Sequence, residues 1–171
     1  KIKEQHRFKK NLLPGVDVIF DNFELDDLRY VEFHGGEPLM QTYPYEFLNK
    51  IKNLEQLIVK FNTNLTVLPS EELSNLLIKC KRVDFLLSVD DIGERYEILR
   101  YPGKWDVFLK NMEVIKQQNH KVIAYNCLSS LNIFYCIDFY KCVAFQVNDF
   151  PVYSQDHSVS HKIYNGNISL N

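Results

Sequence analysis

The sequence contains little cysteine and no long apolar run. Four of its 171 residues are cysteine, and no basic leader followed by an apolar stretch precedes them. This pattern excludes the cysteine-rich frameworks of small secreted domains. A membrane-spanning helix needs roughly 20 consecutive apolar residues, and no segment approaches that length. We therefore expect a soluble protein without a membrane partner, working in the reducing environment of the cytoplasm.

An excess of charge of one sign is also missing. The chain has 20 Lys and Arg residues against 22 Asp and Glu residues, which gives a formal net charge of -2. Binding to nucleic acid through overall positive charge is therefore not indicated, although a local basic patch stays open. Hydrophobic residues make up 46% of the chain and aromatic residues 13%. This content supports one buried core and excludes disorder over most of the chain.

From residue 29 onward, short β-rich runs alternate with longer helical patterns, as in βα units on a parallel sheet. Apolar runs predict strands over 29–33, 57–61, 83–88, 121–127 and 143–147. Apolar residues at helical spacing predict helices over 45–54, 105–115 and 133–143. A further helix is predicted directly after Ser70, which can cap it. The predicted fold class is α/β: a parallel sheet of repeated βα units, either an open sheet or an incomplete barrel.

We expect one domain with irregular ends. Residues 29–150 form its core. Residues 1–28 are predicted to be irregular or helical, with a basic helix over 1–13 and a short helical turn over 23–28. Residues 151–171 are polar and rich in Asn and Ser, which predicts an irregular tail.

The first predicted strand runs into the segment His34-Gly35-Gly36-Glu37-Pro38. In parallel α/β sheets, ligands bind at the carboxyl ends of the strands. The two glycines let the backbone approach a ligand closely, and Glu37 can accept hydrogen bonds from a cation such as an amine. A plain strand-to-helix turn with a solvated Glu37 explains the segment equally well. For His34, stabilising the turn is favoured over polarising a ligand.

Polar side chains also follow the second and third strands. The second strand ends in Asn62-Thr63-Asn64, which can bind a ligand or cap the turn. The third ends at Ser88 and Asp90, with Arg100 shortly after. A hydroxyl and a guanidinium suit a carboxylate, because Arg presents paired donors to its two oxygens. The alternative is a surface ion pair of Arg100 with Asp90 or Glu94.

The fourth strand runs into the polar residues from Asn126 to Asn132. Four successive strand ends thus carry polar groups suited to one small zwitterionic ligand. No metal site is predicted from the remaining residues. The thiols are expected to be small core hydrophobes, at Cys80, Cys127, Cys136 and Cys142. Four other residues lack the spacing of metal ligands: His6, His120, His157 and His161.

In this order, the motifs resemble the core of the radical S-adenosylmethionine enzymes, and most of all the branch with a twitch domain. The likeness covers residues 29–132. It rests on Phe33-His34-Gly35-Gly36-Glu37-Pro38-Leu39, Asn62-Thr63-Asn64, Ser88-Val89-Asp90, Arg100-Tyr101, Trp105, Asn111 and Ser129-Ser130-Leu131-Asn132. An ordered set of this kind is far more specific than the glycine motif alone.

The resemblance implies a partial TIM-like barrel and an enzyme of oxidoreductase or transferase type with two cofactors, S-adenosylmethionine and a 4Fe-4S cluster. The implied reaction cleaves S-adenosylmethionine reductively to a 5′-deoxyadenosyl radical, which abstracts hydrogen from an unidentified peptide, protein or small molecule. An electron donor such as a flavodoxin or ferredoxin is implied as a partner.

The same resemblance implies the binding residues but names no catalytic residue. Gly35, Gly36 and Glu37 would hold the methionine amino group, while Ser88 and Arg100 would hold the carboxylate or the ribose. Three further residues would line the same mouth: Asn64, Asp90 and Asn126.

The sequence departs from the family in its cysteines. The family binds its cluster through a CxxxCxxC loop, and no such triplet occurs here. Because the chain starts at Lys1 and its first predicted strand already carries the glycine motif, we expect the loop to lie upstream, with one strand and one helix. One alternative is a non-catalytic module that binds S-adenosylmethionine or a nucleotide. Another is a doubly wound α/β domain whose polar strand ends only cap helices.

Overall fold

The fold is taken from a computed structural model that describes residue 25, residues 27–143 and the backbone of residues 152–154. The helix predicted over 1–13 lies outside the described residues, as do half of the turn predicted over 23–28 and the tail beyond residue 154.

Strands and helices alternate along the described chain. The strands are β1 (Tyr30–Phe33), β2 (Ile58–Thr63), β3 (Arg82–Ser88), β4 (Lys121–Leu128) and β5 (Val152–Ser154). The helices are α1 (Tyr43–Lys50), α2 (Glu71–Leu77), α3 (Gly93–Leu99), α4 (Trp105–Gln117) and α5 (Cys136–Val143). Short 3-10 turns occur at Pro38–Met40, Leu54–Gln56 and Ile133–Tyr135.

The five strands form one parallel sheet in the order β1-β2-β3-β4-β5. Each crossover between parallel neighbours includes at least one helix, as parallel pairing requires. The α/β prediction is therefore confirmed. Among the described helices, which reach at most 13 residues, none has both the length and the hydropathy to cross a membrane.

The two faces of the sheet differ because successive side chains point to opposite sides of a strand. One face carries Phe33, Phe61 and Phe85, which are register partners across three strands. Their ring centroids lie 5.1 Å and 5.4 Å apart, and both pairs are stacked. All three rings are buried in the main core. Polar residues in register cross the opposite face: Glu32, Lys60, Asp84 and Lys121.

Helix α4 packs by the apolar stripe that the sequence predicts. Phe108, Met112 and Ile115 are buried, at three- and four-residue spacing. Trp105 stacks on Phe108 with ring centroids 5.4 Å apart. The predicted helix is therefore confirmed, and its buried stripe packs in the main core.

Three sequence predictions need correction. The strand predicted over 143–147 is wrong at Val143, which ends α5 and is buried there, while residues 144–147 lie outside the described part. The next strand that the structure describes is β5, within the segment predicted to be an irregular tail. The helix predicted over 45–54 ends at Lys50, because the chain turns extended at Ile51. Helix α3 was not predicted at all.

Candidate functional site

The described strands end at one edge of the sheet, because they are parallel and neighbours in sequence. The polar residues that follow them therefore lie along the same edge. We call this edge the carboxyl edge, formed by residues 34–37, 62–64, 88–90 and 126–128.

The turn after β1 has a backbone that requires glycine. Gly35 has a φ of +86° and Gly36 a φ of +58°, in the left-handed region that other residues rarely adopt. A Cβ placed on either glycine would meet no atom within 4 Å. The turn is exposed, so its backbone is open to contact by a ligand.

Glu37 is buried and connects two strand ends. Its Oε1 accepts hydrogen bonds from the Thr63 hydroxyl at 2.5 Å and from the Leu39 N–H at 3.3 Å. Its Oε2 accepts from the Asn64 N–H at 2.8 Å. The side chain is only 8% exposed, so the solvated Glu37 that the sequence left open is not what the structure has. The carboxylate fixes the glycine turn against the end of β2.

The loop after β2 is held by side chains from several elements. Asn64 Oδ1 accepts hydrogen bonds from both the backbone and the hydroxyl of Thr66, at 3.0 and 2.7 Å. Leu65 is buried with a positive φ of 53°. The Leu65 carbonyl accepts from the Asn111 amide at 3.0 Å, and the Asn64 carbonyl from the Tyr96 hydroxyl at 3.4 Å. Burial, above all, raises the pKa of Tyr96 to about 12, so its hydroxyl stays a donor.

His34 bridges β1 and β2 on the polar face of the sheet. Its Nδ1 lies 2.6 Å from the Asn62 amide nitrogen, and its Nε2 lies 3.1 Å from Glu32 Oε1. With the Asn62 amide as donor, Nδ1 accepts and the ring proton sits on Nε2, facing Glu32. The Tyr30 hydroxyl donates to the other Glu32 oxygen. These contacts fit the turn-stabilising role expected for His34.

Asp90 and Arg100 form a partly buried ion pair beside the end of β3. Arg100 Nε lies 2.6 Å from Asp90 Oδ2, with its N–H not aligned for a hydrogen bond. Asp90 Oδ1 accepts from the Cys127 N–H at 2.9 Å. Asp90 faces Nε of the guanidinium, and among the described residues no group hydrogen-bonds the two terminal nitrogens, which suit a ligand. Ser88, the last residue of β3, is half-buried at the same edge.

A close backbone approach shapes the loop that follows Arg100. The Gly103 N–H donates to the Arg100 carbonyl at 2.8 Å. A Cβ on Gly103 would lie 2.9 Å from that carbonyl oxygen and 3.1 Å from the Tyr96 hydroxyl. Glycine is therefore required at this position for the loop to pass so close to α3.

Two buried asparagines hold the carbonyl of Asp90. Asn126 Nδ2 donates to it at 2.9 Å and to Val89 at 3.3 Å, while Asn126 Oδ1 is buried without a hydrogen-bond partner. The amide nitrogen of Asn126 thus serves the protein, and its buried Oδ1 has no hydrogen-bond partner among the described residues. Asn132 Nδ2 also donates to the Asp90 carbonyl, at 2.9 Å. The sequence placed Asn132 in a motif but assigned it no role.

The cysteines do not form a cluster site. All four are free and half-buried, and Cys80 and Cys142 pack against the core as predicted. Burial raises the pKa of Cys80 to about 11 and, together with Asp90, raises that of Cys127. Within the described part of the chain, no three His, Cys, Asp or Glu residues are placed to hold a metal ion. These residues do not fit a 4Fe-4S cluster, which needs thiolate ligands.

The carboxyl edge can bind a zwitterion. The terminal nitrogens of Arg100 suit a carboxylate, and the Ser88 hydroxyl can donate to a second oxygen. The open backbone around Gly35 and Gly36 offers carbonyl acceptors for an ammonium group. The structure thus brings all the predicted binding residues to one edge, where five of them are partly committed to contacts within the protein: Glu37, Asn64, Asp90, Arg100 and Asn126. The ion pair of Arg100 with Asp90, named above as the alternative to ligand binding, is present.

No protein-family model and no curated protein matches this sequence. Solved structures do match its fold. Streptococcus suis SuiB bound to S-adenosylmethionine is 19% identical with a TM-score of 0.54, covering 78% of this chain and 31% of that chain. SuiB bound to precursor peptide SuiA is 20% identical with a TM-score of 0.53, covering 81% and 30%. Native anSMEcpe with bound AdoMet and Cp18Cys peptide is 16% identical with a TM-score of 0.60, covering 81% and 40%.

SuiB and anSME are radical S-adenosylmethionine enzymes. The present chain spans about a third of the length of these structures. At such identities the likeness concerns architecture. This chain shares with them an α/β architecture of alternating strands and helices on a parallel sheet, the arrangement expected of a partial barrel.

Proposed function

We propose that the carboxyl edge binds S-adenosylmethionine, and that the chain is the core of a radical S-adenosylmethionine enzyme of the twitch-domain branch. The observation that carries this proposal is the geometry of Arg100, whose Nε faces Asp90 at 2.6 Å. Its terminal nitrogens have no hydrogen-bond partner among the described residues and suit a carboxylate. The open glycine turn on the same edge suits the amino group of the same ligand. SuiB and anSMEcpe, which share the fold, have been solved with this ligand bound.

The proposed roles follow from the contacts. Arg100 and Ser88 bind the carboxylate or the ribose, and the backbone of Gly35 and Gly36 accepts from the ammonium group. Glu37 Oε1 already accepts two hydrogen bonds from its own chain, whereas Oε2 accepts one and can accept a further one. It contributes negative charge next to the ammonium group while it holds the turn.

The reaction proposed for the whole enzyme is reductive cleavage of S-adenosylmethionine to a 5′-deoxyadenosyl radical, followed by hydrogen abstraction from a substrate. No electron-transfer step is assigned to the described residues, because they do not supply cluster ligands. A peptide or protein is the proposed substrate, since SuiB has been solved with precursor peptide SuiA and anSMEcpe with a Cp18Cys peptide. A flavodoxin or ferredoxin is the proposed electron donor.

Binding can be tested by titration calorimetry with S-adenosylmethionine and the Arg100→Gln variant. Loss of a charged hydrogen bond to the carboxylate should weaken binding roughly tenfold or more. Arg95→Gln is the matched control, because Arg95 also pairs with an aspartate, Asp91, at 2.9 Å and lies on α3. Failure of the unaltered chain to bind, or equal affinities of the two variants, would overturn the proposal.

A non-catalytic module that binds S-adenosylmethionine or a nucleotide is the second candidate, because the contacts of Arg100 and the glycine turn concern binding alone and the described residues supply no cluster ligands. Anaerobic iron and sulfide analysis of the protein expressed from its native start, after reconstitution, separates the two candidates. About four irons per chain, with a spectrum altered by S-adenosylmethionine, supports the enzyme. S-adenosylmethionine binding without iron supports the module.

A further inference from the structure

The motif Ser129 to Asn132 has no role in the proposed binding of S-adenosylmethionine, yet Asn132 is among the most buried polar residues, at 2% exposure. Its Oδ1 accepts hydrogen bonds from the Ser129 N–H at 2.8 Å and from the Ser129 hydroxyl at 3.3 Å. Its Nδ2 donates to the carbonyls of Asp90 and Cys127, both at 2.9 Å. The side chain thus has two halves: the oxygen closes its own turn, and the nitrogen reaches the loop after β3.

Asp90 receives hydrogen bonds on both its backbone and its side chain. Its carbonyl accepts from Asn126 and Asn132, each at 2.9 Å. Its Oδ1 accepts from the Cys127 N–H at 2.9 Å, which leaves Oδ2 to face Arg100 Nε at 2.6 Å. A carboxylate held at this many points has little freedom to turn away from the guanidinium.

Arg100 needs such support because a long side chain loses much conformational freedom when it binds a ligand. It lies beyond the end of α3, on a loop whose course depends on the close approach of Gly103. Its ion pair with Asp90 orients the guanidinium before a ligand arrives. Preorganised donors cost less affinity than donors that must be ordered on binding.

We propose that Asn132 is a positioning residue that fixes Asp90 and, through it, aims Arg100 at the carboxylate of S-adenosylmethionine. Asn132 thereby sets the preference of the site for a ligand that carries a carboxylate. This inference rests on the proposed function, because it assumes that the carboxyl edge binds S-adenosylmethionine.

A merely structural role predicts a different result from a positioning role. If Asn132 only closed its turn, a substitution of either Asn132 or Ser129 would lower the affinity for all ligands alike. Asn132→Asp keeps the acceptor toward Ser129 but replaces the amide donor that faces the Asp90 and Cys127 carbonyls. Ser129→Ala removes the hydroxyl contact in the turn and leaves the donor to Asp90 in place. The two variants therefore separate the two halves of the motif.

The test compares two ligands by titration calorimetry on the full chain. One is S-adenosylmethionine, and the other is decarboxylated S-adenosylmethionine, which keeps the adenosine, sulfonium and amine but lacks the carboxylate. For Asn132→Asp we expect about a tenfold loss of affinity for the first ligand and little change for the second. For Ser129→Ala we expect the wild-type ratio of the two affinities. If Asn132→Asp fails to fold, Asp90→Asn takes its place. This variant keeps the hydrogen bonds to the backbone carbonyl of residue 90 but removes the negative charge, and we expect the same selective loss of affinity for S-adenosylmethionine.

An equal loss of affinity for both ligands in Asn132→Asp, or in Asp90→Asn where it is used instead, would overturn the inference while leaving the proposed function intact. The same selective loss in Ser129→Ala would overturn it as well. Failure of the unaltered chain to bind S-adenosylmethionine would overturn the proposed function and this inference together.

Discussion

Glu37 shows how one carboxylate can serve both a turn and a binding site. In the sequence, Glu37 stands where a carboxylate that binds an amine is expected. In the structure, it accepts hydrogen bonds from Thr63 and Asn64. Both contacts come from backbone or hydroxyl donors at the end of the neighbouring strand. Glu37 therefore joins β1 to β2, whatever else it binds.

Glu37→Gln should lower the free energy of unfolding by about 1–3 kcal/mol. The NH₂ group of Gln would take the place of a carboxylate oxygen, so that one hydrogen-bond donor faces another. The measurement is urea unfolding of the ligand-free chain at neutral pH. Glu55→Gln is the control, since Glu55 is exposed and should change the same quantity by less than about 0.5 kcal/mol. Equal effects of the two substitutions would contradict the cross-linking role of Glu37.

His120 makes stability depend on pH. Its ring lies 5.6 Å from the Phe85 ring, and burial lowers the pKa of His120 from its ordinary value of 6.5. Below pH 6.5 the unfolded chain takes up the proton more readily than the folded one, so stability falls as the pH drops toward the folded-state pKa. We expect the urea midpoint to fall between about pH 7 and pH 5. His120→Gln should show a smaller fall, and an unchanged slope would refute this assignment.

At the scale of elements, a side-chain cap makes a short helix easier to predict. Ser70 precedes α2 and its hydroxyl accepts from the Leu73 N–H at 3.2 Å, as its sequence position indicates. Helix α3 has no side-chain cap and starts at Gly93 with a positive φ. With only seven residues and no cap, it gives the sequence little signal. Its place is set by the burial of Tyr96 and by the ion pair of Arg95 with Asp91.

Ser70→Ala should cost about 0.5–2 kcal/mol of stability, because the first turn of α2 loses its hydrogen-bond acceptor. Ser74→Ala, inside the same helix, should be neutral or slightly stabilising, because alanine has the higher helix propensity. Thermal unfolding of both variants provides the comparison. A larger loss for Ser74→Ala than for Ser70→Ala would show that the cap is not what stabilises this helix.

The last strand and the asparagine contacts mark the limit of prediction from sequence. The residues before β5 resemble a strand, yet the apolar Val143 is needed on the buried side of α5. Strand β5 is short and is selected by pairing with the end of β4, which only the folded sheet provides. Likewise, the sequence placed Asn126 and Asn132 near a site. It could not show that their amides would be used by the Asp90 carbonyl.

At the scale of the whole molecule, the row of Phe33, Phe61 and Phe85 joins three strands into one core. Phe61 lies in the middle of the row, is fully buried and stacks on both neighbours. The sequence predicted each of these strands from its apolar run, but not that the three rings would align. Alignment depends on the register of the sheet, which local patterns do not specify.

Phe61→Leu should lower the free energy of unfolding by about 1–3 kcal/mol, through lost volume and two lost ring contacts. Phe134→Leu is the matched control, since Phe134 is 88% exposed and should have almost no effect. Urea unfolding followed by tryptophan fluorescence measures both, because Trp105 packs against the same core. A loss in Phe134→Leu as large as that in Phe61→Leu would contradict this account of the core.

The strand order also bears on how the protein is made. Every described strand pairs only with the strand before it and the strand after it in the chain. As the chain leaves the ribosome, each new strand therefore finds its partner already synthesised, and it joins at the free edge of the growing sheet. None of the described strands has to be inserted later between two that have already paired. Folding can proceed in the direction of translation, one βα unit at a time.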